Sequence, residues 1–241
     1  MRNLLFIYFT VLLALPAKAQ VGFGPEAGIG ISGIQFLPPS DVFNFAITSQ
    51  KPVPAYFVGG VLDIPMNPNL YFQSGLYFTR QGGIRDYSFY HNDSFNAGVH
   101  QELYIHYLDL PMSVFYKTGM QGKGRFVVGL GATLSYIVGG KNVYSDHSVI
   151  NDTPFSNNGE YPIEIGRTLV GLNVAMNLIA GYELPNGLFF RARYYWGIKD
   201  IGLGTEIDKT KLGAISIGYL LGKGRNIYKE KDDLIDKSTD E

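Results

Sequence analysis

Cysteine is absent from this sequence, and charged residues make up only 17% of its 241 positions. The missing cysteines exclude a disulfide framework, a thiolate metal site and a thiol nucleophile. Soluble domains usually carry about 25% charged residues, so the low charge is unusual for a soluble enzyme. The formal net charge of −1 offers no basic surface to neutralise phosphates, which argues against nucleic acid as a partner.

Long apolar runs are also missing. A transmembrane helix needs about 20 consecutive apolar residues, and no apolar run in the sequence reaches that length. The apolar run 4–15 follows Arg2 and precedes Ala17-Lys18-Ala19, a small-x-small sequence. These are the three regions of a secretory signal peptide. We therefore predict a signal peptide over residues 1–19 and a mature chain from Gln20, with a buried N-terminal helix as the alternative.

Aromatic residues and glycine are abundant, with 17 Tyr, 16 Phe and 30 Gly. Beyond residue 20, apolar residues recur with a period of two rather than 3.6. In the stretch 169–184 the even positions are apolar, whereas the odd positions are mostly small or polar. Such alternation predicts strands with one apolar face, and together with the low charge it is typical of a barrel whose outer face meets lipid.

The same pattern predicts eight strands, at residues 22–34, 54–65, 69–82, 101–117, 125–139, 167–184, 188–198 and 210–222. Short connections alternate strictly with long ones, which lie at 35–53, 83–100, 140–166 and 199–209. Outer-membrane barrels alternate in this way because they have long extracellular loops and short periplasmic turns. We therefore predict an all-β fold: a transmembrane antiparallel up-and-down β-barrel of eight strands over residues 20–222. Both termini would be periplasmic, with a charged tail at 223–241.

Aromatic residues at the apolar parity cluster toward the predicted strand ends, where membrane proteins place their interfacial belts. His106 shares this parity, which favours an interfacial role over catalysis. Seven other aromatic residues take the opposite parity and are expected to point inward: Phe57, Tyr71, Tyr77, Tyr107, Phe115, Phe189 and Tyr195. The predicted outer belt is Tyr56, Phe78, Tyr104, Tyr136, Tyr194 and Trp196; the inner belt is Phe23, Phe72, Tyr116, Phe126, Tyr182, Phe190 and Tyr219.

Charged residues fall on the inward parity, where eight strands leave room only for side chains. Buried charges must be paired, so we predict a salt-bridge network that plugs the lumen toward the periplasmic end. Glu183 and Arg191 are expected to meet across the hairpin at 185–187. The alternative is the selectivity ring of a narrow pore. The predicted network consists of Glu26, Asp63, Asp109, Arg125, Glu183, Arg191 and Arg193.

No motif indicates catalysis or a cofactor. Residues 28–33 match G-x-G-x-x-G, but the Pro38-Pro39 that follows is a poor start for the helix that a nucleotide site requires. The four histidines show no zinc-binding spacing. His147, beside Ser145 and Asp146, is a candidate for catalysis at the barrel rim, although nothing in the spacing pairs a nucleophile with a base. We predict a non-enzymatic protein without cofactor or metal.

The segment 107–114, YLDLPMSV, resembles the "YLxxP" strand of the outer-membrane β-barrel family of Bacteroidota, known as the porin-like or PorT-like family. Segments 75–82, 129–131 and 181–194 are also similar to this family. The resemblance covers about residues 20–222 and implies an outer-membrane barrel without a catalytic motif.

We therefore expect a monomeric membrane scaffold with a side-chain-filled lumen. Its extracellular loops, above all residues 141–167, are the predicted interaction surface. The expected partners are outer-membrane lipid and an extracellular or periplasmic protein. Two alternatives stay open: a narrow channel for water, ions or very small solutes, and a lipid-modifying enzyme at the rim.

Overall fold

The computed structural model describes residues 21–37, 45–91, 94–118, 124–150, 153–165, 169, 171–202 and 207–222. The predicted signal peptide and charged tail lie outside these residues. Within them, no helix has the length and apolar character to cross a membrane. The strands are β1 (Gly22–Leu37), β2 (Phe45–Lys51), β3 (Val53–Pro65), β4 (Leu70–His91), β5 (Ser94–Lys117), β6 (Arg125–Ile150), β7 (Thr153–Pro162), β8 (Leu172–Glu183), β9 (Leu188–Gly197) and β10 (Ile207–Tyr219).

Eight of these strands close into a barrel. Around the ring they follow the order β1, β3, β4, β5, β6, β8, β9 and β10, and every neighbouring pair is antiparallel. The ring closes where β1 pairs with β10, from Glu26 opposite Gly218 to Leu37 opposite Ile207. The predicted all-β fold, an antiparallel barrel of eight strands, is thereby confirmed.

At one end of the barrel the connections β3–β4 and β8–β9 are tight turns, and we call this the short-turn end. In the turn between β8 and β9, Gly187 adopts a φ of 99°, a left-handed conformation that glycine tolerates best. The Asn186 side chain accepts a hydrogen bond from the Leu188 amide at 3.0 Å. Asn67 plays the same part between β3 and β4, where it accepts from the amides of Asn69 and Leu70.

At the opposite end, the described residues of three segments predicted to be long loops, 35–53, 83–100 and 140–166, are largely β structure, so the prediction of loops there was wrong. β4, β5 and β6 run far past their predicted ends, and β6 has 26 residues, whereas about 9–11 suffice to cross a bilayer. β2 pairs with the extended part of β4, and β7 pairs with that of β6. We call this five-stranded sheet the blade; it comprises β2, residues 83–91, 94–105 and 140–150, and β7.

The irregular backbone pairing between β5 and β6 marks the border between barrel wall and blade. Tyr107 lies opposite Ile137, but the preceding residue, His106, lies opposite Gly139. One extra residue in β6 therefore forms a bulge, which shifts the facing of all later positions of that strand. Between the short-turn end and the bulge, odd-numbered residues of β6 such as Thr133 point into the barrel. Leu130 and other even-numbered residues of this part point outward.

Candidate functional site

The barrel lumen holds the largest concentration of buried charge in the described residues. The buried charged side chains there are four acids, Glu26, Asp63, Asp109 and Glu183, and four bases, Lys117, Arg125, Arg191 and Arg193. Their formal charges sum to zero, so the lumen is electrically balanced.

Seven of these eight side chains are the predicted network residues, and Lys117 was missed. Lys117 is only 1% exposed. It ends its predicted strand, where a lysine usually extends into solvent. Its odd number matches the inward parity of Asp109 and Ser113, and that signal would have identified it.

The first ionic group lies at the short-turn end and centres on Lys117. The Lys117 Nζ atom is 2.6 Å from Asp63 Oδ2 and 2.9 Å from Glu183 Oε2. Arg125 Nη2 lies 2.9 Å from Glu183 Oε1, and its Nη1 atom donates to the Tyr71 hydroxyl at 2.9 Å. Both oxygens of Glu183 are thus bound by cations, as a buried carboxylate requires.

The second ionic group centres on Glu26. Arg193 bonds its Oε1 atom, and Arg191 Nη1 lies 3.5 Å from its Oε2 atom. The Tyr77 hydroxyl donates to Oε2 at 2.6 Å, and the Ser216 hydroxyl donates to Oε1 at 2.7 Å. This carboxylate therefore joins side chains from four other positions on β4, β9 and β10.

A glutamine connects the two groups. Gln73 Nε2 donates to Asp63 Oδ1 at 2.9 Å, and Gln73 Oε1 accepts from Arg191 Nη1 at 2.8 Å. The result is one continuous network, which we call the ionic layer: Glu26, Asp63, Gln73, Lys117, Arg125, Glu183, Arg191 and Arg193.

The predicted contact between Glu183 and Arg191 does not form. Glu183 lies opposite Phe189 across the β8–β9 hairpin, and Arg191 lies opposite Gly181. On the other side of β8, Arg125 is the direct register partner of Glu183, so it reaches that carboxylate first. Arg191 turns instead toward Glu26 and Gln73.

Inward aromatic rings fill the space around the ionic layer. The Arg191 guanidinium lies 3.9 Å above the Phe189 ring, and that of Arg193 lies 4.3 Å above Phe57. Beside them, a cavity of about 10 Å³ is lined by residues that include Tyr77 and Arg193. A space of this size holds about one water molecule, so this level of the lumen is closely packed.

Between the ionic layer and the blade end of the barrel, the lumen is polar, and hydrogen bonds link neutral side chains. Ser113 donates to Asn177 Oδ1 at 2.9 Å, and Asn177 donates to Thr133 at 2.9 Å. Asp109, the remaining predicted network member, lies at this level. Its Oδ1 atom is buried without a hydrogen-bond partner among the described residues.

Toward the blade, the lumen ends in a buried apolar cluster that the sequence analysis did not identify. Its wall residues are joined by three aliphatic side chains from connecting segments, Ile163, Leu169 and Ile201, which are 7%, 3% and 0% exposed. We call this cluster the apolar cap: Leu103, Ile105, Tyr107, Ile137, Ile163, Leu169 and Ile201. The lumen is therefore filled by charge pairs near the short turns and by aliphatic packing near the blade.

Over residues 16–202 the sequence matches the profile of a family described as "Outer membrane protein beta-barrel domain". The chain belongs to this family. Its place is therefore the bacterial outer membrane, and the apolar outer face of the barrel is the face toward lipid. No sequence among curated proteins matches the chain.

The chain is also similar to several solved structures, at low sequence identity. Neisserial surface protein A (NspA) is 12% identical, with 82% of this chain and 96% of that chain covered and a TM-score of 0.38. The outer membrane enzyme PagL is 11% identical, with 81% and 98% covered and a TM-score of 0.42. OprG from Pseudomonas aeruginosa is 13% identical, with 86% and 98% covered and a TM-score of 0.39.

On the outer face of this family barrel, every residue of the two predicted belts is exposed or half-buried. Phe126 is the most exposed of them at 68%, and Phe78 is 37% exposed. The seven aromatic residues of opposite parity are all buried in the lumen. The alternation of strand faces therefore separates the two sets of rings.

The rim candidates for catalysis are not brought together. Ser145 donates to Asn158 at 2.6 Å, and no hydrogen bond joins it to the exposed His147 in the part of the chain that the structure describes. The described residues contain no group of three or more His, Asp or Glu side chains that could hold a metal ion. Residues 28–33, which match the nucleotide motif, lie inside strand β1.

Proposed function

We propose that this outer-membrane barrel is a non-enzymatic, monomeric scaffold with a closed lumen, whose blade presents an interaction surface outside the membrane. The observation that carries the proposal is the double closure of the lumen. The ionic layer fills one level with paired charges, and the apolar cap fills another with aliphatic side chains.

A channel would need a continuous path for water, which both levels oppose by different means. Lys117 and Glu183 would have to give up buried ion pairs, and breaking such a pair is strongly unfavourable. Ile163, Leu169 and Ile201 are aliphatic, so none of these three side chains could replace the hydration of an ion.

The blade is suited to binding because it combines an ordered backbone with exposed polar and aromatic groups. On β6 and β7 the rings of Tyr144 and Tyr161 stack with their centroids 5.4 Å apart. Asn157 donates to the Tyr144 hydroxyl at 2.9 Å, and Tyr161 is 52% exposed. Tyrosine supplies a large contact area with little loss of side-chain entropy, which favours a protein partner.

We further propose that the blade is extracellular, that both termini are periplasmic, and that the chain belongs to the porin-like, PorT-like branch of Bacteroidota. Long extracellular and short periplasmic connections support the orientation. The YLDLPMSV segment supports the branch, and it lies on β5 with Asp109 in the lumen.

Planar-bilayer recording tests the closed lumen. The purified barrel should show no steady, sizeable conductance. A variant with Arg191→Ala and Arg193→Ala empties part of the ionic layer but keeps the apolar cap, so it should also show no steady conductance. A steady conductance of the unmodified protein would reject the scaffold and favour the narrow channel.

Cysteine labelling tests the orientation, and the absence of native cysteine makes every label specific. Ser156→Cys places an exposed thiol on the blade, and Asn186→Cys places one in a short turn. On intact cells, a membrane-impermeant maleimide should label the first variant, and it should label the second only after permeabilisation. The reverse pattern would invert the proposed orientation.

A further inference from the structure

Arg80 is a cation on the lipid-facing side of strand β4. Its neighbours in register are Tyr56 on β3 and His106 on β5, so it belongs to the outward row of side chains. Along β4 the same outward face carries Leu76 and Phe78, which are 54% and 37% exposed. A charge on the lipid face destabilises a barrel unless it lies near the interface and finds a partner there.

Aromatic rings hold the Arg80 side chain. Its guanidinium carbon lies 4.4 Å from the ring centroid of Tyr104 and 6.0 Å from that of Tyr56. Stacking on rings engages the face of a guanidinium and leaves its edge N–H groups available. Among the described residues, no carboxylate lies within ion-pair distance of Arg80, and none accepts a hydrogen bond from it. The nearby Glu102 accepts from the Tyr104 hydroxyl at 2.9 Å and contacts His100.

His106 adds a ring nitrogen that can hydrogen-bond an anion at this spot. It lies directly opposite Arg80, and its ring centroid is 5.5 Å from that of Phe78. Lys141 is the register partner of Tyr104, but Glu160 pairs with it at 3.1 Å. Arg80 is thus the cation of this surface whose charge the described protein leaves unpaired.

The depth of Arg80 is that of lipid headgroups. It lies in the same row as Tyr56 and next to Phe78 and Tyr104, which are outward rings at the border between barrel wall and blade. Aromatic belts of this kind sit at the membrane–water interface, where lipid phosphates lie.

We propose that Arg80, assisted by His106, binds the phosphate group of a lipid headgroup on the outside of the barrel. A planar guanidinium can donate two parallel hydrogen bonds to a phosphate, and the two tyrosines fix its orientation. Inorganic phosphate has the same chemistry, but a lipid would also place its acyl chains on the adjacent apolar wall at Leu76 and Phe78. The site therefore favours a phosphorylated lipid.

The test is native mass spectrometry of the full-length mature barrel, with bis-phosphorylated lipid A and dephosphorylated lipid A as probes. Arg80→Gln should weaken binding of the phosphorylated lipid about tenfold, the value of one charge-assisted hydrogen-bonded contact. Arg80→Lys should restore part of the affinity. Arg85→Gln is the matched control, because Arg85 lies on the opposite face of β4 and donates to Gln101. This control should bind like the unmodified protein.

Two results would overturn the proposal: equal binding of the phosphorylated and dephosphorylated lipids, or equal losses in Arg80→Gln and Arg85→Gln. Displacement of the lipid by millimolar inorganic phosphate would overturn the assignment to a lipid. Stronger binding of phosphatidylglycerol than of lipid A would support a lipid-phosphate site and would contradict only the proposed orientation, since phospholipid fills the periplasmic leaflet.

Discussion

The ionic layer and the apolar cap close the same lumen with opposite chemistry. Every charged member of the ionic layer comes from a barrel strand, where register fixes its position, as for Arg125 opposite Glu183. The cap takes Ile163, Leu169 and Ile201 from connecting segments, which carry aliphatic bulk to the blade end. Charge pairs need a defined geometry, so their residues lie on strands, where the register fixes the position of each side chain. Apolar packing is non-directional, so residues from the less regular connecting segments can supply it.

This contrast predicts the largest loss of stability for a broken charge pair. Lys117→Met should lower the free energy of unfolding by about 3–5 kcal/mol, because it leaves Asp63 and Glu183 buried with less positive charge. Urea-dependent folding and unfolding in lipid vesicles measures this change.

The matched control for this variant removes a negative charge as well. Lys117→Met combined with Asp63→Asn restores the charge balance of the lumen and should recover part of the loss. If the double variant is no more stable than the single one, unpaired charge is not the cause.

A smaller loss is expected in the apolar cap. Ile201→Ala removes a fully buried side chain and should cost about 2 kcal/mol, the lower end for such truncations, because a connecting segment can move to fill part of the space. The same vesicle assay applies. A loss as large as that of Lys117→Met would show that the cap is as rigidly defined as the ionic layer.

The smallest effect concerns the blade, where the charged side chains around His100 are half-buried and partly screened by solvent. The hydrogen bond that His100 Nδ1 donates to Asp86 Oδ1 at 2.5 Å, together with Glu102, raises the pKa of His100 above its ordinary 6.5. Because the pKa of His100 is higher in the folded state, protonated His100 stabilises the blade fully below pH 6.5. This stabilisation is lost as the pH rises through the raised pKa and His100 loses its proton.

Hydrogen exchange of residues 94–102, corrected for intrinsic rates, should therefore become faster as the pH rises above 6.5. His100→Gln should abolish this dependence, and β8, remote from His100, serves as the internal reference. A pH dependence that survives in His100→Gln would assign it to another group.

The sequence predicts the barrel wall well because one face of each strand meets lipid. In β8 that contrast sets Leu172 and Leu178 outside and Asn173 and Asn177 inside. The blade lacks such a contrast, since residues on both of its faces, such as Arg85 and Asp86, are polar. In the blade the alternation of apolar and polar residues is therefore lost although the backbone pairing continues. From the sequence alone, these segments look like loops.

The residues of the lumen were predicted from the odd or even parity of their strand positions. The errors of this prediction arise where parity alone is insufficient. Parity identifies Arg191 as inward but not its partner, which depends on the register between strands far apart in sequence. Ile201 lies outside any alternating pattern, so its burial in the cap follows only from the folded structure.

The ring of bonds around Glu26 also constrains how the barrel is assembled. Glu26 is on β1, and its partners Arg193 and Ser216 are on β9 and β10. An open sheet in the bilayer would hold this carboxylate without them, which is costly in an apolar medium. The pairing of β1 with β10 and the neutralisation of the Glu26 charge therefore occur in the same step. A barrel in which these two strands are only partly paired is disfavoured inside the membrane.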